Sequence, residues 1–162
     1  MPDEHDLEHL IATRDAAAFD RVVRAASREQ LAAWMAGPSR ETLLRLIFEN
    51  MPRKFDPERA AGVDAVIHWV VRRPGGAEDR YEVGIRDGGC WIDERAPHQP
   101  TVVLRIDGVA FLRLIAEATT GLKLLLTRKL QIEGDLLLAA RVETFFGREP
   151  SAAPEALAVG GA

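Results

Sequence analysis

Residues 63–71 read VDAVIHWVV, and this stretch decides the class of fold. Its odd positions, from Val63 to Val71, are all apolar, whereas Asp64 and His68 lie among the even ones. An apolar residue at every second position is typical of a β-strand that buries one face. We therefore predict a strand here and read the rest of the chain outward from it.

Three further strands are predicted after this one. Residues 74–76, Pro-Gly-Gly, have the composition of a turn, and apolar and polar residues then alternate over residues 81–86. Asp87-Gly88 is a strong signal for a tight β-hairpin, so a third strand is predicted at residues 89–94. A fourth strand is predicted around residues 102–106.

Helices are predicted on both sides of these strands in the sequence. Five of them begin at residues whose side chains commonly cap helices, namely Asp15, Ser27, Ser39, Asp107 and Asp135. A weaker helical pattern runs from Glu4 to Thr13. A short fifth strand, from Lys129 to Glu133, precedes the last helix.

Two short motifs, one from Met51 to Ala60 and one from Lys129 to Asp135, resemble those of the sterol carrier protein 2 lipid-binding domain family. The first is Met51-Pro52 followed by Phe55 to Ala60, which is similar to the family pattern Met-Pro and then Phe-x-Pro-x-x-Ala. The second is Lys129 to Asp135, which is similar to the strand-to-helix junction Lys-Leu-x-Ile-x-Gly-Asp. The two motifs also occur in the order and at the spacing seen in the family. The resemblance covers roughly residues 41–147.

The resemblance implies an α+β fold with a five-stranded, mostly antiparallel sheet, covered on one face by helices and with an apolar tunnel between sheet and helices. Members of the family bind fatty acids, acyl thioesters or sterols in this tunnel, without a cofactor and usually without catalysis. The chain is then divided into an N-terminal helical extension (residues 1–38), a sterol-carrier-like lipid-binding domain (residues 39–147) and a tail (residues 148–162) whose composition predicts disorder.

An apolar tunnel requires side chains that line a space without filling it, and the sheet and later helices supply many apolar residues. Residues 122–126 contain four leucines, which cannot all point into one core stripe, so at least one is expected to face a cavity, an opening or a partner. The predicted tunnel-lining residues are Ile92, Leu104, Ile106, Phe111, Leu114, Ile115, Leu122, Leu125, Leu126, Leu130, Ile132 and Phe145. Taken singly, each position is more typical of core packing than of a ligand wall.

Composition and charge argue against several classes of protein. The 162 residues include 21 basic and 25 acidic side chains, a net charge of −4, whereas a nucleic-acid partner normally requires a basic surplus. The N-terminus has no secretory signal pattern, and no window holds the roughly 18 apolar residues of a membrane span, so at most transient membrane contact is expected. Cys90 is the single cysteine, which favours a reducing, cytoplasmic location.

Residues that commonly carry chemistry form no catalytic or metal-binding pattern in this sequence. His5 and His9 lie four residues apart but lack the glutamate placement of a metalloprotease motif. His68 and His98 are not near a recognisable nucleophile, and Cys90 has no basic partner close by in sequence to activate its thiol. We therefore expect no enzymatic activity, no metal and no cofactor.

Two functions remain open on the sequence. The first is the binding or carriage of a lipid, whether a fatty acid, an acyl thioester or a sterol-like molecule. The second is a protein interaction or dimerisation module of the same fold with a closed tunnel, which is suggested by the helical segment at residues 4–36. In that case Phe19 and Trp34 plug the tunnel or form the surface of a homodimer or of a contact with another protein.

Overall fold

The computed structural model describes residues 9–10, 13 and 15–147, and of Ala16 it describes the backbone. Residues 9, 10 and 13 are helical. Most of the helix predicted from Glu4 to Thr13, together with His5 and the tail predicted at residues 148–162, lies outside the described residues.

A five-stranded sheet forms the centre of the fold. Its strands are β1 (Ala65–Arg72), β2 (Glu78–Arg86), β3 (Gly89–Asp93), β4 (Val102–Asp107) and β5 (Leu130–Gly134). Across the sheet they are ordered β3-β2-β1-β4-β5. Three neighbouring pairs are antiparallel, and the pair of β1 with β4 is parallel. The prediction of a five-stranded, mostly antiparallel sheet is confirmed.

The hairpin between β2 and β3 shows how local sequence sets the register. Asp87 and Gly88 both have positive φ angles, 51° and 76°. A two-residue hairpin turn of type I′ requires this left-handed backbone at both positions, and Asp-Gly adopts it readily. The turn aligns the two strands so that Trp91 lies opposite Gly84.

Six helices lie wholly within the described residues. Three precede the sheet, namely α1 (Ala16–Ala25), α2 (Arg28–Ala36) and α3 (Arg40–Lys54). Three follow β4, namely α4 (Gly108–Ile115), α5 (Gly121–Leu126) and α6 (Leu136–Phe145). The fold is therefore α+β, as predicted.

Side-chain caps determine where most of these helices begin. Four of the predicted caps accept a hydrogen bond from the backbone N–H three residues further on, namely Asp15, Ser27, Asp107 and Asp135. Each satisfies one of the backbone donors that a helix leaves unpaired at its N-terminus. Ser39 precedes α3 as predicted, but its side chain makes no capping hydrogen bond.

The helices pack on one face of the sheet and enclose the hydrophobic core. Alternate residues of β1, among them Ile67 and Trp69, belong to this core, as the period of two predicted. Phe19 of α1 and Leu31 of α2 belong to the same core, so the N-terminal helices and the sheet share one continuous apolar interior. The division of the chain at residue 38 stays a prediction, since such a boundary runs through this interior.

A buried ion pair joins the N-terminal helices to the sheet. The Arg40 guanidinium donates to Asp79 on β2 (Nε to Oδ2, 2.8 Å) and to the carbonyls of Met35 and Val71 (3.1 and 2.8 Å). Arg73 donates to both oxygens of Asp79 at 3.0 Å. Burial raises the pKa of Asp79, but the hydrogen bonds from the two guanidinium groups outweigh burial and hold that pKa below its ordinary value.

On the face of the sheet away from the helices, Gly84 makes room for the indole of Trp91. A Cβ atom at position 84 would overlap the six-membered ring of Trp91. We expect Gly84→Ala to lower the free energy of unfolding by about 2 kcal/mol, because the indole must move. Gly89→Ala, whose Cβ meets only ordinary contacts, is the control and should cost less than about 0.5 kcal/mol. Urea denaturation measures both variants, and equal losses would contradict this packing.

Candidate functional site

A cavity of about 350 Å³ lies between the helices and the inward face of the sheet. Helices α1, α3, α4 and α6 contribute to its wall, together with one residue of β1. Its apolar lining residues are Phe19, Leu46, Ile47, Met51, Trp69, Leu114, Ile115, Val142 and Phe146. This volume and this lining are typical of a site for a small apolar ligand.

Helix α3 supplies the longest part of the wall. Its lining residues recur at intervals of one and three residues, which places them on one helix face, and they are Leu46, Ile47, Asn50, Met51 and Lys54. Leu43, Leu44 and Phe48 are fully buried and do not line the cavity. One face of α3 therefore packs into the core, and the neighbouring face of the same helix lines the cavity.

Trp69 is the lining residue that comes from the sheet. Its side chain is only 4% exposed, and its ring meets that of Phe111 edge to face with 5.4 Å between the centroids. Phe111 in turn stacks on Phe48, so the indole is held by a chain of aromatic contacts. The Nε1–H group of Trp69 is buried and has no hydrogen-bond partner among the described residues.

The N-terminal helix α1 completes the wall through Phe19 and Asp20. Arg24, one turn further along α1, donates from Nε to the carbonyl of Ala116 just after α4 (2.7 Å). This long-range hydrogen bond ties α1 to the end of α4, where Ile115 also lines the cavity. Part of the site is thus built from residues that precede the stretch carrying the sequence resemblance.

Charged residues give the cavity an acidic lining. Four carboxylates and one ammonium group line it, and these belong to Asp15, Asp20, Glu117, Glu143 and Lys54. Asp15, Glu117 and Lys54 are exposed, which marks where the cavity meets solvent. Burial raises the pKa of Asp20, and although Lys54 and Arg24 oppose this, the net shift is upward.

The structure places the twelve predicted tunnel-lining residues in four kinds of position: at the cavity, in the core, partly buried and at the surface. Leu114 and Ile115 line the cavity. The residues buried elsewhere in the core are Leu104, Ile106, Phe111, Leu130 and Phe145. Those partly buried are Ile92, Leu122 and Ile132.

Leu125 and Leu126 lie at the surface, where they are 41% and 74% exposed. Helix α5 turns Leu124 into the core, and each further residue rotates by about 100° around the helix axis, so the next two point outward. The structure therefore brings Leu114 and Ile115 together at the cavity, whereas Leu125 and Leu126 do not line it. Which of the twelve residues contact a lipid stays a prediction.

A second cluster of titratable side chains surrounds Glu82 on the other face of the sheet. The Glu82 carboxylate accepts hydrogen bonds from Trp91 Nε1 (2.9 Å), from the backbone N–H of His98 (2.9 Å) and from His98 Nδ1 (2.7 Å). His68 Nε2 lies 3.2 Å from Glu82 Oε1, and His68 Nδ1 lies 2.9 Å from an Arg80 Nη atom. Because arginine only donates, His68 accepts from Arg80 and donates to Glu82.

The Glu82 cluster holds a loop against the sheet. Burial raises the pKa of Glu82, but the hydrogen bonds from Trp91, His98 and His68 outweigh burial and lower the pKa to about 2. His98 lies between β3 and β4, so the carboxylate fastens this connection to β2. Its oxygens are engaged by the protein's own donors, which indicates a structural role.

Three further observations on the described residues concern metal ions, the single thiol and membrane-spanning helices. Within residues 9–10, 13 and 15–147, no group of three or more His, Cys, Asp or Glu side chains is placed to hold a metal ion. Burial raises the pKa of the Cys90 thiol to about 11, so the thiol is protonated and unreactive at neutral pH. In the same part of the chain, no helix is long and apolar enough to cross a membrane.

Comparison with known families identifies the domain. The model of the SCP-2 sterol transfer family matches residues 44–147, well over half of the chain. The chain belongs to this family. The family match excludes α1 and α2, so Asp15, Phe19 and Asp20 of the cavity wall lie outside it. No curated protein matches the chain.

Solved structures with low sequence identity share the fold. Sterol Carrier Protein 2 from Yarrowia lipolytica in its apo form is 17% identical, with 65% of this chain and 87% of that chain covered and a TM-score of 0.52. Palmitated SCP2L2 from Aedes aegypti is 18% identical, with 68% and 96% covered and a TM-score of 0.52. The sec-alkylsulfatase Pisa1 from Pseudomonas sp. is 17% identical, with 67% and 16% covered and a TM-score of 0.50.

Glu82→Gln tests the structural role of the second cluster. We expect it to lower the free energy of unfolding by about 2 kcal/mol at neutral pH, because it weakens charge-assisted hydrogen bonds at a buried site. The pKa of Glu82 is about 2 in the folded state against an ordinary 4.5, so its ionised form stabilises the fold above pH 4.5 and loses this effect as the pH falls toward 2. The difference from the wild type should shrink over that interval.

Urea titrations at several pH values measure this difference. Glu133→Gln is the matched control, since Glu133 is exposed and pairs with Arg105 at the surface. Glu133→Gln should lower the free energy of unfolding by less than about 1 kcal/mol. A loss at Glu82 that stays constant from neutral pH to pH 2 would show that its ionisation does not support the fold.

Proposed function

We propose that this chain binds a lipid in the cavity, as a fatty acid, acyl thioester or sterol-like ligand, and that it catalyses no reaction. The observation that carries the proposal is an apolar cavity between helices and sheet in a chain of the SCP-2 sterol transfer family. The cavity lacks an activated nucleophile among its described lining residues, so binding accounts for what the site offers.

The apolar wall is sufficient for useful affinity. Transfer of a methylene group from water into an apolar site contributes ~0.8 kcal/mol, so about a dozen methylene groups contribute about 10 kcal/mol before costs. The ligand's alkyl chain loses conformational and translational freedom when it binds, and this entropy cost offsets part of the favourable free energy. A dissociation constant on the order of micromolar follows for a long alkyl chain.

The relatives support a lipid as the ligand. The SCP2L2 structure from Aedes aegypti is of a palmitated protein, and the family is one of sterol transfer. Leu114 and Ile115 were predicted from the sequence and line the cavity, so we propose them as the first ligand contacts. We further propose that the chain acts in the cytoplasm and touches membranes only transiently, consistent with its lone Cys90 and the charge of −4.

In the alternative function, a dimerisation or protein interaction module, Phe19 and Trp34 either plug the tunnel or form the surface that meets a partner. Their side chains are 6% and 9% exposed and belong to the core of their own chain. Phe19 lines the cavity and leaves its volume open. Neither residue is therefore displayed to a partner, and we prefer lipid binding.

Ile115→Glu tests the position of the ligand. The substitution puts a carboxylate into the apolar wall near Glu117, and we expect it to weaken binding of a fluorescent long-chain alkyl probe at least about tenfold, because the new charge loses hydration when the chain enters. Fluorescence titration, with displacement by unlabelled fatty acid, acyl thioester and sterol, measures the affinity. Circular dichroism checks that the variant is folded.

Leu126→Glu is the matched control, because Leu126 was predicted to line the tunnel and lies exposed on α5. We expect it to change the affinity by less than about twofold. Loss of binding in this variant alone would place the ligand away from the cavity. A folded wild type that binds no member of the three ligand classes would refute lipid binding itself.

A further inference from the structure

In the described part of the chain, the large apolar side chains that lie exposed are all leucines. They form two pairs, Leu125 and Leu126 on α5 and Leu136 and Leu137 at the start of α6. The N-terminal helices α1 and α2 instead bury their large apolar residues, such as Phe19, in the core. A single exposed leucine is ordinary, but two adjacent ones on a helix indicate a surface that contacts something else.

Three basic residues accompany Leu125 and Leu126. Lys123 and Leu126 lie three residues apart on α5, which places them on one helix face. After the helix the chain turns back, because the backbone N–H of Arg128 donates to the carbonyl of Leu125 (3.1 Å). Lys129 follows directly. We call Lys123, Leu125, Leu126, Arg128 and Lys129 the α5 patch.

The charge of the α5 patch is opposite to that of the whole chain, which is −4. The structure shows no ion pair between the three cations of the patch and another described residue. Residues 118–132 include no Asp or Glu. The other exposed pair, Leu136 and Leu137, directly follows the carboxylate of Asp135. Within the described residues, exposed leucines and unpaired positive charge therefore occur together on the α5 patch.

We infer that the α5 patch docks the protein on a bilayer that contains anionic phospholipids. Leucine side chains enter the boundary between head groups and acyl chains, whereas lysine and arginine keep their charged ends among the head groups. Each cation near an anionic surface adds to the attraction. A helix of six residues is far too short to span a bilayer, so the contact lies at the surface and is reversible.

The α5 patch is connected to the wall of the cavity. The backbone N–H of Gly121, the first residue of α5, donates to Glu143 Oε1 (2.6 Å), and Glu143 lines the cavity. A bilayer bound by α5 therefore lies near the wall of the ligand site. The inference rests on the transient membrane contact proposed above and names the surface that makes it.

Co-flotation of the full chain with vesicles tests the inference. Vesicles of phosphatidylcholine with about one third phosphatidylglycerol are compared with vesicles of phosphatidylcholine alone. We expect the chain to bind the anionic vesicles at least about tenfold more tightly, because each unpaired cation adds to the attraction. Raising the salt concentration from about 0.1 M to about 1 M should remove most of this difference, because the Debye length falls from about 10 Å to about 3 Å.

A double leucine variant tests whether the apolar part of the patch makes the contact. Leu125→Ser with Leu126→Ser should weaken binding to anionic vesicles at least about tenfold, because the side chains that enter the bilayer are lost. Leu136→Ser with Leu137→Ser removes the same number of exposed leucines and is the matched control. The control should change binding by less than about twofold.

A double charge variant tests the basic part of the patch. Lys123→Gln with Arg128→Gln should weaken binding to anionic vesicles about tenfold and leave binding to neutral vesicles almost unchanged. Arg21→Gln with Arg53→Gln removes the same charge from exposed residues of α1 and α3 and should change binding by less than about twofold. Circular dichroism checks that all four variants are folded.

The outcomes separate this inference from ligand binding in the cavity, which the soluble fluorescent probe measures without vesicles. A folded chain that does not bind anionic vesicles, or equal losses from a patch variant and its control, would overturn the inference and leave ligand binding intact. A dimer that Leu125→Ser with Leu126→Ser converts into monomers in sedimentation would also overturn it, because a second copy would then cover the patch. Vesicle binding by a chain that takes up no probe would support docking and refute the proposed function.

Discussion

Burial of the inward face of β1 is the constraint on which the rest of the structure depends. This strand pairs with β2 on one side and with β4 on the other, so its side chains have no route to solvent except across the face of the sheet. Ile67, Trp69 and Val71 occupy that face and are almost fully buried. Burying each such side chain stabilises the folded state by about 1.5–3 kcal/mol. The helices bury these side chains by packing on this face of the sheet.

The helices that pack on this face do not fill all the space above it, and the space that remains is the cavity. The indole of Trp69 packs on Phe111 of α4, yet the residue also lines the open space, so core and site meet at one side chain. Arg40 fastens the start of α3 to β2, and Arg24 fastens α1 to the end of α4. These long-range hydrogen bonds hold the N-terminal helices over the sheet, where α1 and α3 form walls that the β-sheet alone does not provide. Helices α1 and α3 are thus part of the site.

Local patterns predicted the fold because its elements are local. Alternation in residues 63–71, the Asp87-Gly88 turn and the helix caps each act within a few residues, and all of them except the side-chain cap at Ser39 appear in the structure. The site depends on packing between distant segments. Leu114 and Ile115 were predicted from a helix face, whereas Asp20 and Lys54 reach the cavity only because α1 and α3 lie over β1. The leucine pattern of α5 could not show which side chains face inward: in the structure Leu124 is buried, whereas Leu125 and Leu126 are exposed. The Glu82 cluster likewise needs β-pairing and a loop to bring its members together.

Photo-crosslinking is the most direct test that the lipid occupies this cavity. An alkyl alcohol with a photoreactive diazirine at the end of its chain is irradiated with the intact protein, and mass spectrometry locates the labelled residues. The account predicts adducts on cavity-lining residues such as Met51, Leu114 and Ile115, suppressed by excess unlabelled alcohol. Adducts concentrated instead on the exposed Leu125 and Leu126, or insensitive to competition, would contradict it.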